Sequence, residues 1–167
     1  MKIAILFALA SSSAQAAATA RSVFHLDTAR DATVSYNTFQ DSNGSFEALT
    51  PKGAQSTLTS FKGDDDYRRI LLGFDLPSSR VKDPSRITKC LLHVPVPKNA
   101  PAQDYSLTAY TASSNWDEDS VNGATKITSV RELSSVSVRK GQNPGSIDVT
   151  GACQAAAEGK FSIPLFL

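Results

Sequence analysis

The side chains best equipped for recognition are Tyr67, Arg68 and Arg69, which head the run Tyr67-Arg68-Arg69-Ile70-Leu71-Leu72-Gly73-Phe74-Asp75-Leu76-Pro77. A guanidinium offers planar, bidentate hydrogen bonding to a carboxylate, and an aromatic ring offers an apolar surface with a polar tip. The single tryptophan, Trp116, lies in the acidic turn-like segment Asn115-Trp116-Asp117-Glu118-Asp119-Ser120-Val121. There it either anchors the loop on a core or stacks against a sugar ring. Asp64, Asp65 and Asp66 follow Gly63 as three consecutive carboxylates and are weak candidates for structural calcium, a hard cation that takes oxygen ligands. They lack the alternating spacing and bidentate glutamate of an EF-hand loop, so a solvated acidic loop is the plainer reading.

Catalytic chemistry has little to draw on. Of the two histidines, His25 lies near the expected mature terminus and His93 falls on the polar side of a strand, so a Ser-His-Asp arrangement is poorly supplied. Glu47, Glu118, Glu132 and Glu158 are scattered, and no pair of them is opposed by sequence, as a glycosidase would require. The chain contains no Gly-x-Ser-x-Gly elbow, no His-Glu-x-x-His and no phosphate loop. Catalysis is therefore unsupported by these residues, and no cofactor is called for beyond the weak structural-calcium candidates.

Charge says little about a partner. Seventeen Lys and Arg balance sixteen Asp and Glu, too even a field to steer the chain to nucleic acid or an anionic membrane. Met1-Lys2, the apolar stretch Ile3 to Ala10 and the small-x-small triplet Ala14-Gln15-Ala16 read as a secretory signal peptide over residues 1–16, with Ala18-Thr19-Ala20 as a later cleavage option. That apolar stretch is far short of the roughly 20 residues needed to span a bilayer. The expectation is an extracellular protein whose residues 21–167 form one domain, about 150 residues fitting the usual size. Cys90 and Cys153 are then expected to pair, closing a loop worth ~4 kcal/mol of chain entropy. Asn43-Gly44-Ser45 is a candidate glycosylation acceptor.

Strand-like segments bounded by Gly, Pro, Asn, Asp and Ser recur along the chain, and no long segment holds a helical period. The expected strands are 22–28, 32–36, 57–61, 69–76, 87–94, 105–111, 129–138, 146–149 and 160–165. Nine short strands predict an all-β sandwich, since one open sheet of that size would leave a face uncovered. On the strand 69–76, Ile70, Leu72, Phe74 and Leu76 share one face, and Arg68 shares their parity. In 87–94, Cys90, Leu92 and Val94 face the core. An alanine-rich segment closed by Gly159 predicts one short helix near 151–158.

Four blocks in order, Asp31-Ala32-Thr33-Val34, Arg69-Ile70-Leu71-Leu72-Gly73-Phe74-Asp75-Leu76, Trp116-Asp117-Glu118-Asp119-Ser120-Val121-Asn122 and Ile147-Asp148-Val149-Thr150, resemble the DNRLRE-type domain, also classed as carbohydrate-binding module family 96. The resemblance is to small secreted single-domain forms of the fungal kind and covers roughly Val23 to Leu167. It implies a jelly-roll-like antiparallel β-sandwich that binds polysaccharide, acidic glycans among them, without catalysis. Tyr67, Arg68, Arg69 and Trp116 are the residues expected to touch glycan. Against the family pattern the chain reads as one strand short after the Asp-Val-Thr block, which predicts an exposed apolar edge at Phe166 and Leu167, and Asn122-Gly123 stands where a second tryptophan is common. The competing readings are a secreted structural or adhesive protein and a fragment of a polysaccharide-degrading enzyme.

Overall fold

Period-two alternation of apolar and polar residues builds two antiparallel sheets in this chain. The structure, a computed structural model, describes residues 5–9, 22–37, 53, 58, 60–62, 66–95, 103–113, 115–125, 127 and 131–167, leaving aside the side chains of 5–9, 36–37, 61–62, 66 and 67. The strands among these residues are β1 (Ile5–Leu9), β2 (Ser22–Leu26), β3 (Arg30–Asn37), β4 (Phe61–Lys62), β5 (Asp66–Asp75), β6 (Ile87–Val94), β7 (Tyr105–Thr111), β8 (Arg131–Val138), β9 (Gly145–Asp148) and β10 (Lys160–Phe166), with one helix, α1 (Thr150–Gln154). One sheet has the order β2-β1-β6-β9. The other runs β3-β5-β10-β7-β8, with β4 paired to β5. The fold is thus the expected all-β sandwich.

Several expected boundaries move. β5 starts three residues early, at Asp66, because its first residues are paired on one edge by β3 and on the other by β4, with Tyr67 opposite both Tyr36 and Lys62. β3 likewise extends at both ends to follow β5 from Arg30↔Gly73 to Asn37↔Asp66. The helix is shorter than its alanines suggest, ending at Gln154. Glu158 and Gly159 both take positive φ, 52° and 77°, and the Lys160 N–H donates to the Ala157 carbonyl at 2.8 Å. This is a tight turn of the hairpin kind, and it throws the chain straight into β10. β10 is not an edge. It lies between β5 and β7, so Phe166 ends half-buried inside the sheet, while Leu167 is exposed. β1 falls within the expected leader, and its backbone pairs Ile5 with both Leu26 and Leu92.

The space between the sheets is filled by the faces that alternation predicts. Leu72 and Phe74 of β5 meet Phe161, Ile163 and Leu165 of β10, Leu107 and Ala109 of β7, and Ile87, Cys90 and Leu92 of β6. Phe74 and Phe161 stack with centroids 5.2 Å apart. Each large apolar side chain buried here contributes about 1.5–3 kcal/mol.

Cys90 and Cys153 are joined in a disulfide that ties β6 to α1. The Asp148-Val149-Thr150 corner holds that attachment in place. Asp148 Oδ1 accepts from the Thr150 N–H at 3.0 Å and from its hydroxyl at 2.6 Å, and Oδ2 accepts from Lys89 Nζ at 2.7 Å. Thr150 Oγ1 in turn accepts from the Cys90 N–H at 3.0 Å. Ser134 Oγ of β8 donates to the Asp148 carbonyl at 2.7 Å, stitching the edges of the two sheets together.

Candidate functional site

Odd-numbered residues of β5 point away from the sandwich core, onto the outer face of the larger sheet. Leu71 on that face is fully buried, because Ala32 and Val34 of β3 and the segment carrying Trp116 and Val121 close over it as a second core. Two turns shape that segment. Asp117 Oδ1 accepts from the Asp119 N–H, and its carbonyl accepts from the Val121 N–H. Asn122 Oδ1 accepts from the Ala124 N–H, while the Asn122 N–H donates to Thr125 Oγ1. Side chains of Asp and Asn favour such turns because they bond their own backbone two residues on.

Trp116 is 7% exposed. Its indole N–H donates to Ser162 Oγ, and the Arg30 guanidinium lies 5.1 Å from its ring while donating to its carbonyl. The ring is engaged in packing on this surface. Gly73 helps to explain how: a Cβ there would come 3.0 Å from Arg30 Nε and 3.1 Å from the indole, so glycine lets both lie across the strand without crowding.

Farther along the same outer face the surface opens. Leu165 pairs with Ile70, which brings Phe166 level with Arg69, and Phe166 pairs in turn with Thr108, which pairs with Ser135. Arg69, Phe166, Thr108 and Ser135 therefore form one row across four adjacent strands, ~14 Å from β5 to β8 at ordinary strand spacing. The Arg69 guanidinium lies 5.4 Å from the Phe166 ring centroid, and Tyr110 meets the same ring edge-on at 4.9 Å. Burial pulls the Arg69 guanidinium down to about 10, so it remains cationic at neutral pH. Next to the aromatics lies a patch of hydroxyls, with Ser135 Oγ within 2.8 Å of Ser106 Oγ and 3.0 Å of Thr108 Oγ1. A cation stacked on an aromatic pair, continued by hydroxyls, offers an apolar surface and hydrogen-bonding groups in one strip.

The residues singled out in the sequence do not gather at one point. Arg69 joins this row, whereas Arg68 pairs across β5 with Ser35 of β3 and has core-side parity, so the two guanidinia lie on opposite faces and cannot clamp one carboxylate together. Tyr67 shares the parity of Arg69, and its side chain lies outside the described residues, as do Asp64, Asp65 and Asn43. Asp66 is placed only by its backbone, at the start of β5. His93 is exposed and lies 2.7 Å from Ser146 Oγ through Nδ1. Among the described residues no three His, Cys, Asp or Glu side chains gather as metal ligands. Sequence reasoning missed Phe166, Tyr110 and the hydroxyl patch. Alternation on 105–111 and 131–138 could have placed the hydroxyls on one face, but not beside Phe166.

The model of carbohydrate-binding module family 96 matches residues 22–167. The chain belongs to this family. Within family 96, the Arg69 to Leu76 block supplies most of β5 in this protein and the Trp116 to Asn122 block covers part of its outer face. The chain is also 35% identical over 113 residues to an uncharacterized secreted protein of the fungus Arthroderma benhamiae, a match covering 66% of this chain and 56% of that one. The chain thus spans little more than half the length of that relative. No helix among the described residues is long and apolar enough to cross a membrane.

Proposed function

We propose that this family 96 module acts outside the cell as a non-catalytic binder of polysaccharide, acidic polysaccharides included, and that the row from Arg69 through Phe166 to Ser135 is its contact face. The observation that carries this reading is the stacking of Arg69 on Phe166 beside Tyr110, in register with the Thr108 and Ser135 hydroxyls. The aromatic pair supplies the surface against which a pyranose ring packs. Arg69 supplies charge-assisted hydrogen bonds to hydroxyls or carboxylates, and the serine and threonine side chains supply neutral ones.

A panel of neutral and acidic polysaccharides, probed with the protein and with Phe166→Ala and Tyr110→Ala, tests the proposal. At least tenfold weaker binding with unchanged thermal unfolding is expected of both variants. Failure of the unaltered protein to bind any member of the panel would sink the reading in favour of a structural or adhesive role. A reducing-end assay on the same polysaccharides is expected to stay flat; product formation would mean an enzyme.

Secretion is part of the proposal and draws support from the secreted fungal relative. Cleavage after Ala16 would remove β1, leaving β2 and β6 without their shared neighbour. N-terminal sequencing of protein recovered from culture medium is expected to begin at Ala17 or Arg21. An intact Met1 there would refute the processing step.

A further inference from the structure

The geometry points to a second ligand site, an anion-binding cleft that takes a single sugar-acid residue where β7, β8 and β10 meet α1. The cleft is open, about 720 Å³ in volume, and its polar wall is made by Arg131, Lys160, Thr111, Ser113 and Asn115. Its apolar lining includes Ala152, Ala155 and Ala157.

Three local features place the two cations. The Arg131 N–H donates to Thr111 Oγ1 at 3.2 Å, and the Thr111 hydroxyl lies 3.5 Å from the Arg131 carbonyl, so the start of β8 is fixed beside the end of β7. A Cβ on Gly151 would come 3.2 Å from Arg131 Nη2, so the missing side chain is what leaves room for the guanidinium along α1. The turn through Glu158 and Gly159 leads into β10 at Lys160, which lines the same cleft. Carboxylates are near in the chain or the ladder, Glu132 and Glu158 by sequence and Asp75 as the register partner of Lys160. Among the described residues, however, neither Arg131 nor Lys160 is held in an ion pair.

Arg131 and Lys160 line one cleft without an ion pair among the described residues and so suit an anion, the guanidinium presenting a bidentate fork and the ammonium a point charge. The hydroxyls and amide on the wall ask for a ligand that also carries hydroxyls, and the alanine floor suits one flat apolar face. A hexuronate meets all three demands. Inorganic sulfate meets only the first, and a neutral hexose only the last two.

The cleft is separate from the Arg69 row. Lys160 and Phe166 share one face of β10 six residues apart, ~20 Å along a strand, and Trp116 lies over Ser162 between them. Two contact points on one chain would raise the affinity for a long acidic polysaccharide well above that of either alone. This biological source of the ligand rests on the proposed function, but the cleft is tested by itself.

Isotope-labelled full-length protein is titrated with sodium glucuronate, glucose and sodium sulfate in separate arms, and backbone amide resonances are followed. Glucuronate is expected to shift Ser113, Ala152, Ala155 and Ala157 saturably, glucose and sulfate to shift them at least tenfold less. Arg131→Gln with Lys160→Gln should weaken the glucuronate response at least tenfold, and Asn115→Asp, which adds a negative charge to the wall, should weaken it in the same direction. Phe166→Ala should leave it intact. Equal responses to glucuronate and glucose, sulfate responding as well as glucuronate, or a double variant that titrates like the parent would each overturn the proposal. Absence of polysaccharide binding at the Arg69 row alters none of these readouts, so the two proposals fail separately.

Discussion

The indole of Trp116 donates to the hydroxyl of Ser162 at 2.8 Å, in a buried contact that joins a surface loop to the central strand β10. Ser162 is 1% exposed, so deleting its hydroxyl leaves the indole N–H without a partner. Ser162→Ala is expected to cost about 1–3 kcal/mol, and Trp116→Ala about 3–5 kcal/mol. Chemical denaturation measures both. Binding per folded molecule should survive in Ser162→Ala, and its loss without loss of stability would mean that Trp116 touches glycan.

Gly73→Ala places a methyl group 3.0 Å from Arg30 and 3.1 Å from Trp116. The far end of Arg30 can swing aside, but the packed indole cannot do so freely. A cost of about 1–3 kcal/mol is expected, the usual range for overpacking. Combination with Trp116→Phe, which shortens the ring system, should recover part of it. Strict additivity of the two costs would refute the contact.

Ser35 is 2% exposed, and its Oγ makes no hydrogen bond among the described residues. Folding strips that hydroxyl of water, and no described residue replaces the bond. Ser35→Ala should therefore raise stability, by about 1 kcal/mol. A measured loss in denaturant unfolding would show that the hydroxyl has a partner.

Asp148 titrates below the ordinary carboxylate value. Burial by itself raises it, but hydrogen bonds from Lys89 and Thr150 and the charge of Lys89 outweigh that effect. A depressed folded value means that the carboxylate's stabilisation is fully present above the unfolded value, ~3.9, and is lost as pH falls through the folded one. The ion pair is about half exposed, so the gain is small and weakened by salt. Unfolding midpoints followed from pH 6 down to pH 2 should fall less steeply in Asp148→Asn. An identical slope would exclude Asp148 from acid sensitivity.

Glu158 holds a left-handed conformation, φ 52°, that L side chains enter at a cost. Glu158→Gly should relieve it and raise the unfolding midpoint, by about 0.5–1 kcal/mol once the extra freedom of glycine in the unfolded chain is subtracted. A drop in stability would show that the Glu158 side chain supports the turn.

Much of this fold is legible because its determinants are local. Alternation places β6 and β7 at the residues where they occur and assigns Leu72, Phe74 and Cys90 to the core. The helix is overestimated because alanine composition does not show that it ends at Gln154, nor that Glu158 and Gly159 belong to the turn into β10. The contact row is less legible. Arg69 and Phe166 are far apart in the chain, and only the β5 to β10 pairing brings them level. Trp116 invited a sugar-stacking reading because sequence shows an aromatic among acids, whereas its burial depends on glycine at position 73 of a distant strand. The alanine cleft was equally silent, since Arg131 of β8 and Lys160 of β10 come to line one cleft only in the folded sandwich.

The bond between Cys90 and Cys153 makes a covalent ring of the segment containing β6, β7, β8 and β9. A single proteolytic cut anywhere within that ring opens the backbone without releasing a fragment. The strands bearing Thr108 and Ser135 lie inside the ring and those bearing Arg69 and Phe166 outside it. A nicked molecule therefore keeps every part of the contact row on one connected chain, running as one species on a non-reducing gel and as two after reduction.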